Sequence, residues 1–102
     1  MNKSKILGHI GLAARARKIT SGEDQVLDGI RSHRAKIVFL ASDAGVNTTK
    51  RITDKSAFYN VMLITEFSTD EITNAIGKTN RKVIAVTDQQ FAQMIKTALE
   101  DI

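Results

Sequence analysis

Cysteine is absent from these 102 residues, which excludes disulfides, thiolate metal sites and thiol nucleophiles and fits an intracellular compartment better than a secreted one. Proline and tryptophan are absent too, and six glycines are scattered along the chain. No Pro/Gly/Ser-rich linker therefore divides it, and one domain over residues 1–102 is expected, large enough to bury roughly 60 to 70% of its unfolded surface. Two histidines, His9 and His33, are too few for a histidine metal site and have no spaced serine or carboxylate partner for base catalysis. Both read as helix-surface residues. Long apolar runs are missing, and Gly8, His9 and Gly11 interrupt the N-terminal one, so no membrane span or signal is expected and the chain reads as soluble and cytoplasmic.

What is present is positive charge, unevenly placed. The net charge is +4, yet residues 1–36 carry eight Lys and Arg against three Asp and Glu, while residues 37–102 carry seven against eight. A basic first third attracts phosphate-bearing partners, although scattered cations are more often a solvated surface.

Periodicity organises the chain into alternating helices and strands. Ile6, Leu7, Ile10, Ala13 and Ala14 form one stripe over residues 3–16. "KIT" is a short extended piece, and "SGED" starts a second helix, with Ser21 or Gly22 near the cap and Glu23 and Asp24 in the first turn. "AKIVFLAS", "VMLIT" and "KVIAVT" are apolar, β-branched runs suited to strands covered on both faces. Between them, Asn47 caps a third helix with Ile52, Ala57 and Tyr59 on its apolar side. Ser68 and Glu71 form a capping box for a fourth, closed by Gly77 in a left-handed C-cap. A last helix buries Phe91, Met94, Ile95, Ala98, Leu99 and Ile102, and Met62 joins Met94 in the core. This order predicts an α/β fold, a three-layer α/β/α sandwich around a mixed, mostly buried four-stranded sheet.

Catalytic chemistry is not visible. "GKT" at residues 77–79 lacks the earlier glycine of a phosphate-binding loop and follows a helix instead of a strand, so it reads as a C-cap with a solvent-facing lysine. Asp43 follows a buried strand without an acidic partner and reads as a loop cap. No catalytic residue, metal site or cofactor is expected, and a binding module remains.

The joined stretches "SGEDQVLDGI" and "RAKIVFLASD", followed by "YNVMLI" and a helix ending in Gly77-Lys78, resemble the kink-turn-binding ribosomal protein family of the L-seven-Ae and L-thirty-e type, in its small bacterial members. The resemblance covers nearly the whole chain. It implies a non-catalytic RNA-binding protein whose partner is a kinked, structured RNA, ribosomal or otherwise non-coding, within a ribosome or another ribonucleoprotein, with no membrane role. It further implies that Ser21, Gly22, Glu23, Asp24 and Gln25 enter a sharply bent internal loop. In that reading Lys18 and Lys36 meet phosphates nearby, and Thr65, Glu66 and Phe67 form a second loop over the RNA. The best-characterised branch carries Asn-Glu where this chain has Asp24-Gln25 and a lysine where it has Asp28; a carboxylate only accepts hydrogen bonds and repels phosphate. These acidic substitutions are also consistent with a second reading, a protein-interaction adaptor that keeps the fold with RNA recognition reduced or lost.

Overall fold

The computed structural model describes residues 1–101, and the place of Ile102 in the last apolar face lies outside them. In chain order the elements are α1 (Lys3–Arg15), β1 (Ile19–Ser21), α2 (Glu23–Arg31), β2 (Ile37–Leu40), α3 (Val46–Phe58), β3 (Met62–Ile64), α4 (Thr69–Ile76), β4 (Val83–Val86) and α5 (Gln89–Leu99). Because successive side chains of a strand point to opposite faces, the apolar run of β2 feeds two cores at once. Ile37, Phe39 and Ala41 enter a cluster with Ile6, Ile10, Phe67, Ile72 and Ile95 of the α1, α4 and α5 side. Val38 and Leu40 enter the other, with Val26, Leu27, Ile30 and Ile52 of α2 and α3. The three layers and the mixed sheet expected from the sequence are both present.

Strand order is β1-β4-β2-β3, with β2 and β3 parallel and β4 antiparallel to both β1 and β2. Strands β1, β2 and β3 thus run in one direction. The two four-residue strands in the middle of the sheet, β2 and β4, are buried along their whole length.

Local signals explain the helix ends, and in places correct the sequence reading. The capping box at Ser68 and Glu71 forms, and Gly77 closes α4 at φ 70°. Asn47 is not the cap of α3: Gly45 takes that place in extended conformation, two residues earlier, without a side-chain bond. On α3 the buried companion of Ile52 is Ser56, whereas Ala57 faces solvent, because the helix turns one position further than the apolar residues suggest. Strand β3 lies at the sheet edge, so only Ile64 is buried there and Met62 is 42% exposed. Met94 lies on the outer side of α5 at 40% exposure, beside the buried Ile95. Neither methionine is core. His9 is a partly exposed helix residue, while His33 lies just beyond α2 at φ 64°. Among the described residues no helix is long and apolar enough to cross a membrane.

Candidate nucleic-acid interface

Since β1, β2 and β3 share a direction, their C-terminal ends meet the start of β4 at one pole of the sheet. The pairing is Ser21 with Ile84 and Leu40 with Val83. Beyond it, the Gly22 N–H donates to the Val83 carbonyl at 3.0 Å and the Ala41 N–H to the Lys82 carbonyl at 2.8 Å. Helices α2, α3 and α4 all start from this pole, so three positive helix ends gather around Gly22, Lys82 and Ala41.

Gly22 is the N-cap of α2 at φ 95° and ψ 151°, a conformation essentially reserved for glycine. A Cβ built on it meets nothing within 4 Å, so the backbone here faces open space. No side chain caps α2, and the first-turn amides are presented outward. Asp24 and Gln25 are exposed beside them, and with Leu27, Asp28 and Arg31 they line a groove along the outer face of α2.

Glu23 points the other way. Its carboxylate accepts from Thr48 Oγ1 at 2.6 Å and from the guanidinium Nε of Arg51, tying the start of α2 to the first turns of α3. The Thr48 hydroxyl first, then Arg51, hold the Glu23 carboxyl below its ordinary value. Its negative charge is thereby partly neutralised at the mouth of a cavity of about 190 Å³ that Thr48, Asn80, Arg81 and Lys82 complete.

The α4–β4 connection forms the far wall. Asn80 turns it at φ 50°, and Thr73 Oγ1 accepts from the Arg81 N–H at 3.0 Å. The Nε of Arg81 is buried without a hydrogen-bond partner. Lys82 Nζ donates to Thr69 Oγ1 at 3.4 Å, and Thr69 donates through both its N–H and its hydroxyl to Asp43 Oδ1 at 2.9 and 2.7 Å. Those two donors hold the Asp43 carboxyl below its ordinary value. Asp43 is thus a cap for the start of α4, as its place after β2 suggested.

The sequence-predicted residues divide into three groups. Ser21, Gly22, Glu23, Asp24 and Gln25 sit together at this pole. Thr65 and Glu66 are at the same pole but follow β3, at the opposite sheet edge, three strand spacings or about 14 Å from the end of β1. Glu66 is turned back on its own segment, accepting from the Thr65 N–H at 3.1 Å, while its carbonyl accepts from Lys3 Nζ at 3.0 Å. Phe67 is fully buried against Phe39, ring centroids 5.8 Å apart, so it is a core residue and not an exposed loop contact.

Lys18 and Lys36 require the largest correction. Both lie at the other pole, because they precede their strands: the Lys18 carbonyl accepts from the Thr87 N–H, and the Lys36 N–H donates to the Val86 carbonyl. They do not flank Gly22. The cations that do are Arg51, Arg81 and Lys82, none of which the sequence pattern singled out. For Arg81 and Lys82 the signal lay in "RKV" preceding a buried strand, readable only once β4 is known to sit beside β1.

The arrangement offers outward amides, guanidinium and ammonium donors, and a few carboxylate acceptors. Among the described residues no group of three His, Asp or Glu side chains is placed to hold a metal.

Residues 4–96 match the sequence profile of the ribosomal protein L7Ae/L30e/S12e/Gadd45 family. RNA-binding protein YlxQ of Enterococcus faecium is 46% identical over 99 residues, 97% of this chain and 95% of that protein. RNA-binding protein YlxQ of Bacillus subtilis (strain 168) is 47% identical over 91 residues, 89% of this chain and 91% of that one. A solved structure of a protein with unknown function from Bacillus halodurans superposes with a TM-score of 0.89 at 35% identity, covering 95% of this chain and 98% of its own. The Giardia lamblia 15.5kD RNA binding protein shares the fold at a TM-score of 0.84 and 14% identity, over 94% of this chain and 82% of its own.

Proposed function

The chain belongs to the ribosomal protein L7Ae/L30e/S12e/Gadd45 family, and from that premise we propose that it is a non-catalytic RNA-binding protein that grips a kinked or irregular RNA helix at the pole where α2 begins. The observation that carries this is the convergence of Gly22, Arg81 and Lys82 around one open cavity at an uncapped helix start. An uncapped N-terminus receives phosphate oxygens through its amides, and the absent Cβ of Gly22 lets a strand come close. Arg81 has the donors for a phosphate or a guanine edge, and its Nε has no partner inside the protein.

Asp24 and Gln25 give the interface its base-reading part. The exposed Asp24 carboxylate accepts from the exocyclic amine of a guanine, which is tolerable beside phosphates because the helix end and Arg31, which lines the same groove, offset its charge. The partner class is ribosomal RNA or another structured non-coding RNA bearing a kink-turn, in a cytoplasmic ribonucleoprotein. Titrating the protein with an RNA carrying a kinked internal loop, and with a straight duplex of equal length, tests the reading. The kinked RNA is expected to bind far more tightly, with the logarithm of its affinity falling linearly in log salt. Equal, weak binding of both at low salt overturns it.

A further inference from the structure

We propose that the opposite pole, where Lys18 and Lys36 lie, is a second RNA-contacting surface that takes a single-stranded segment. Helices α1, α2 and α3 end there and are closed by Arg17, His33 and Asn60, all in the left-handed region. Thr87 bonds the Lys18 carbonyl and Val86 the Lys36 N–H, so the two lysines flank the end of β4. Lys36 Nζ donates to the His33 carbonyl at 3.2 Å. The His33 ring meets Tyr59 edge-on at 5.7 Å, and Tyr59 meets Phe58 at 5.0 Å. These contacts trace a strip across the whole sheet in strand order, about 14 Å wide, cationic at the β1 side and aromatic at the β3 side.

Dipole compensation at helix ends accounts for Arg15, Arg31 and Lys55, which lie in the last turns. It does not account for Lys18 and Lys36, which lie beyond the helices, or for Phe58, which is 80% exposed and contributes nothing to the core. Nearby carboxylates are engaged: Asp28 by Arg34 at 3.4 Å, and Asp88 as the cap of α5 through the Phe91 N–H at 3.0 Å. The cores of protein–protein interfaces are depleted in lysine, whereas single-stranded nucleic acid is held by cations along its phosphates and an aromatic face under a base. Lys18 and Lys36 on phosphates with Phe58 under a base fits the second pattern. The surface stands apart from Gly22 and Arg81, so it does not depend on how a kinked RNA is bound.

Fluorescence anisotropy with a labelled oligouridylate, which has no paired structure, tests it. The wild-type protein is expected to bind with strong salt dependence. The double variant Lys18→Glu/Lys36→Glu should bind at least tenfold more weakly, with a log–log salt slope smaller by about 1.4. Phe58→Ala should lose about tenfold, and Lys96→Glu, a charge reversal on α5 outside both poles' contacts, should bind nearly as the wild type does. Thermal melts of each variant establish that the fold is kept. Failure of the wild type to bind, unchanged affinity in both the lysine and phenylalanine variants, or an equal loss in Lys96→Glu each overturns the proposal. So does Phe58-dependent self-association in sedimentation with RNA affinity unchanged, which makes the strip a protein interface.

Discussion

The Arg51 guanidinium, on α3, donates to the Glu23 carboxylate at the first residue of α2, so an acidic helix start is held by the neighbouring helix and not by its own cap. The Glu23 side chain is 22% exposed and that of Arg51 59%. Removing the charge while keeping the shape separates the two consequences of the pair. Glu23→Gln is expected to cost about 1 kcal/mol or less in chemical denaturation, since the pair is partly solvated and the amide still accepts from Thr48. It should also tighten RNA binding several-fold, because one negative charge leaves the cavity and Arg51 is freed toward phosphate. A weaker RNA affinity in this variant would give Glu23 a direct role in the contact.

Among the described residues three carboxyls lie below their ordinary values, and they contribute to how the protein meets acid. Glu23 is held down by Thr48 and then Arg51, Asp43 by the hydroxyl and N–H of Thr69, and Glu71 by the Ser68 N–H within the capping box. Because each folded value is depressed, the stability these groups contribute is complete above the ordinary carboxylate range and is lost as pH falls through the lower folded values. Melting temperature should therefore be level down to about pH 5 and decline below it. Asp43→Asn should melt lower at neutral pH and show a shallower decline in acid. A decline of unchanged steepness removes Asp43 from the account.

Phe67 separates packing from recognition. Its ring is fully buried, edge-on to Phe39, with Lys3 Nζ 5.1 Å from its centre. Phe67→Ala is expected to destabilise the domain by about 3 to 5 kcal/mol. RNA affinity measured below the lowered melting point should change little. Selective loss of RNA binding without loss of stability would return the residue to the interface.

The same residue shows where reading the sequence runs out. "VMLITEFS" contains no signal that the chain, after leaving β3, turns Phe67 back under α1. That placement is fixed by the Ser42 N–H bonding the Phe67 carbonyl at 2.8 Å, a non-local contact between the chain leaving β2 and the chain leaving the adjacent β3. Elements with local chemistry were legible: the capping box at Ser68, the left-handed Gly77, the alternating cores on either side of β2. The two edge strands, three residues each, were present in the sequence as "KIT" and "VMLIT". Their exposure was not, because an apolar run does not say whether it lies at an edge. For the site, the turn from Ser21 to Gln25 was legible through Gly22, while Arg81 and Lys82 were not. Their neighbourhood is created by β4 inserting between β1 and β2, a non-local pairing that periodicity does not encode.

Gly22 links backbone and function. Its φ of 95° and ψ of 151° are strained for any residue with a Cβ, although a Cβ would strike nothing in the protein. Gly22→Ala is therefore expected to cost about 1 to 3 kcal/mol through backbone strain alone. If RNA approaches this backbone, affinity should fall by more than that cost implies, at temperatures where the variant is fully folded. A stability loss with affinity intact would confine the glycine to shaping the turn.

Arg81 is the sharpest test of the cavity. Its backbone is anchored to Thr73, and its buried Nε lacks any partner within the protein. A buried donor left without a partner costs free energy, and the charged guanidinium that carries it gains when an anion arrives. Truncation therefore separates folding from binding in opposite directions. Arg81→Ala should leave the melting temperature unchanged or slightly raised, since an unsatisfied donor is removed. It should weaken binding of a kinked RNA by tenfold or more and lower the log–log salt slope by about one. Arg81→Lys should recover the salt slope but only part of the affinity, because an ammonium supplies the charge without the two-pronged donor geometry. If lysine restored full affinity, Arg81 would act as a point charge on a phosphate; if alanine bound as well as arginine, the cavity beside Gly22 would lie outside the RNA contact altogether.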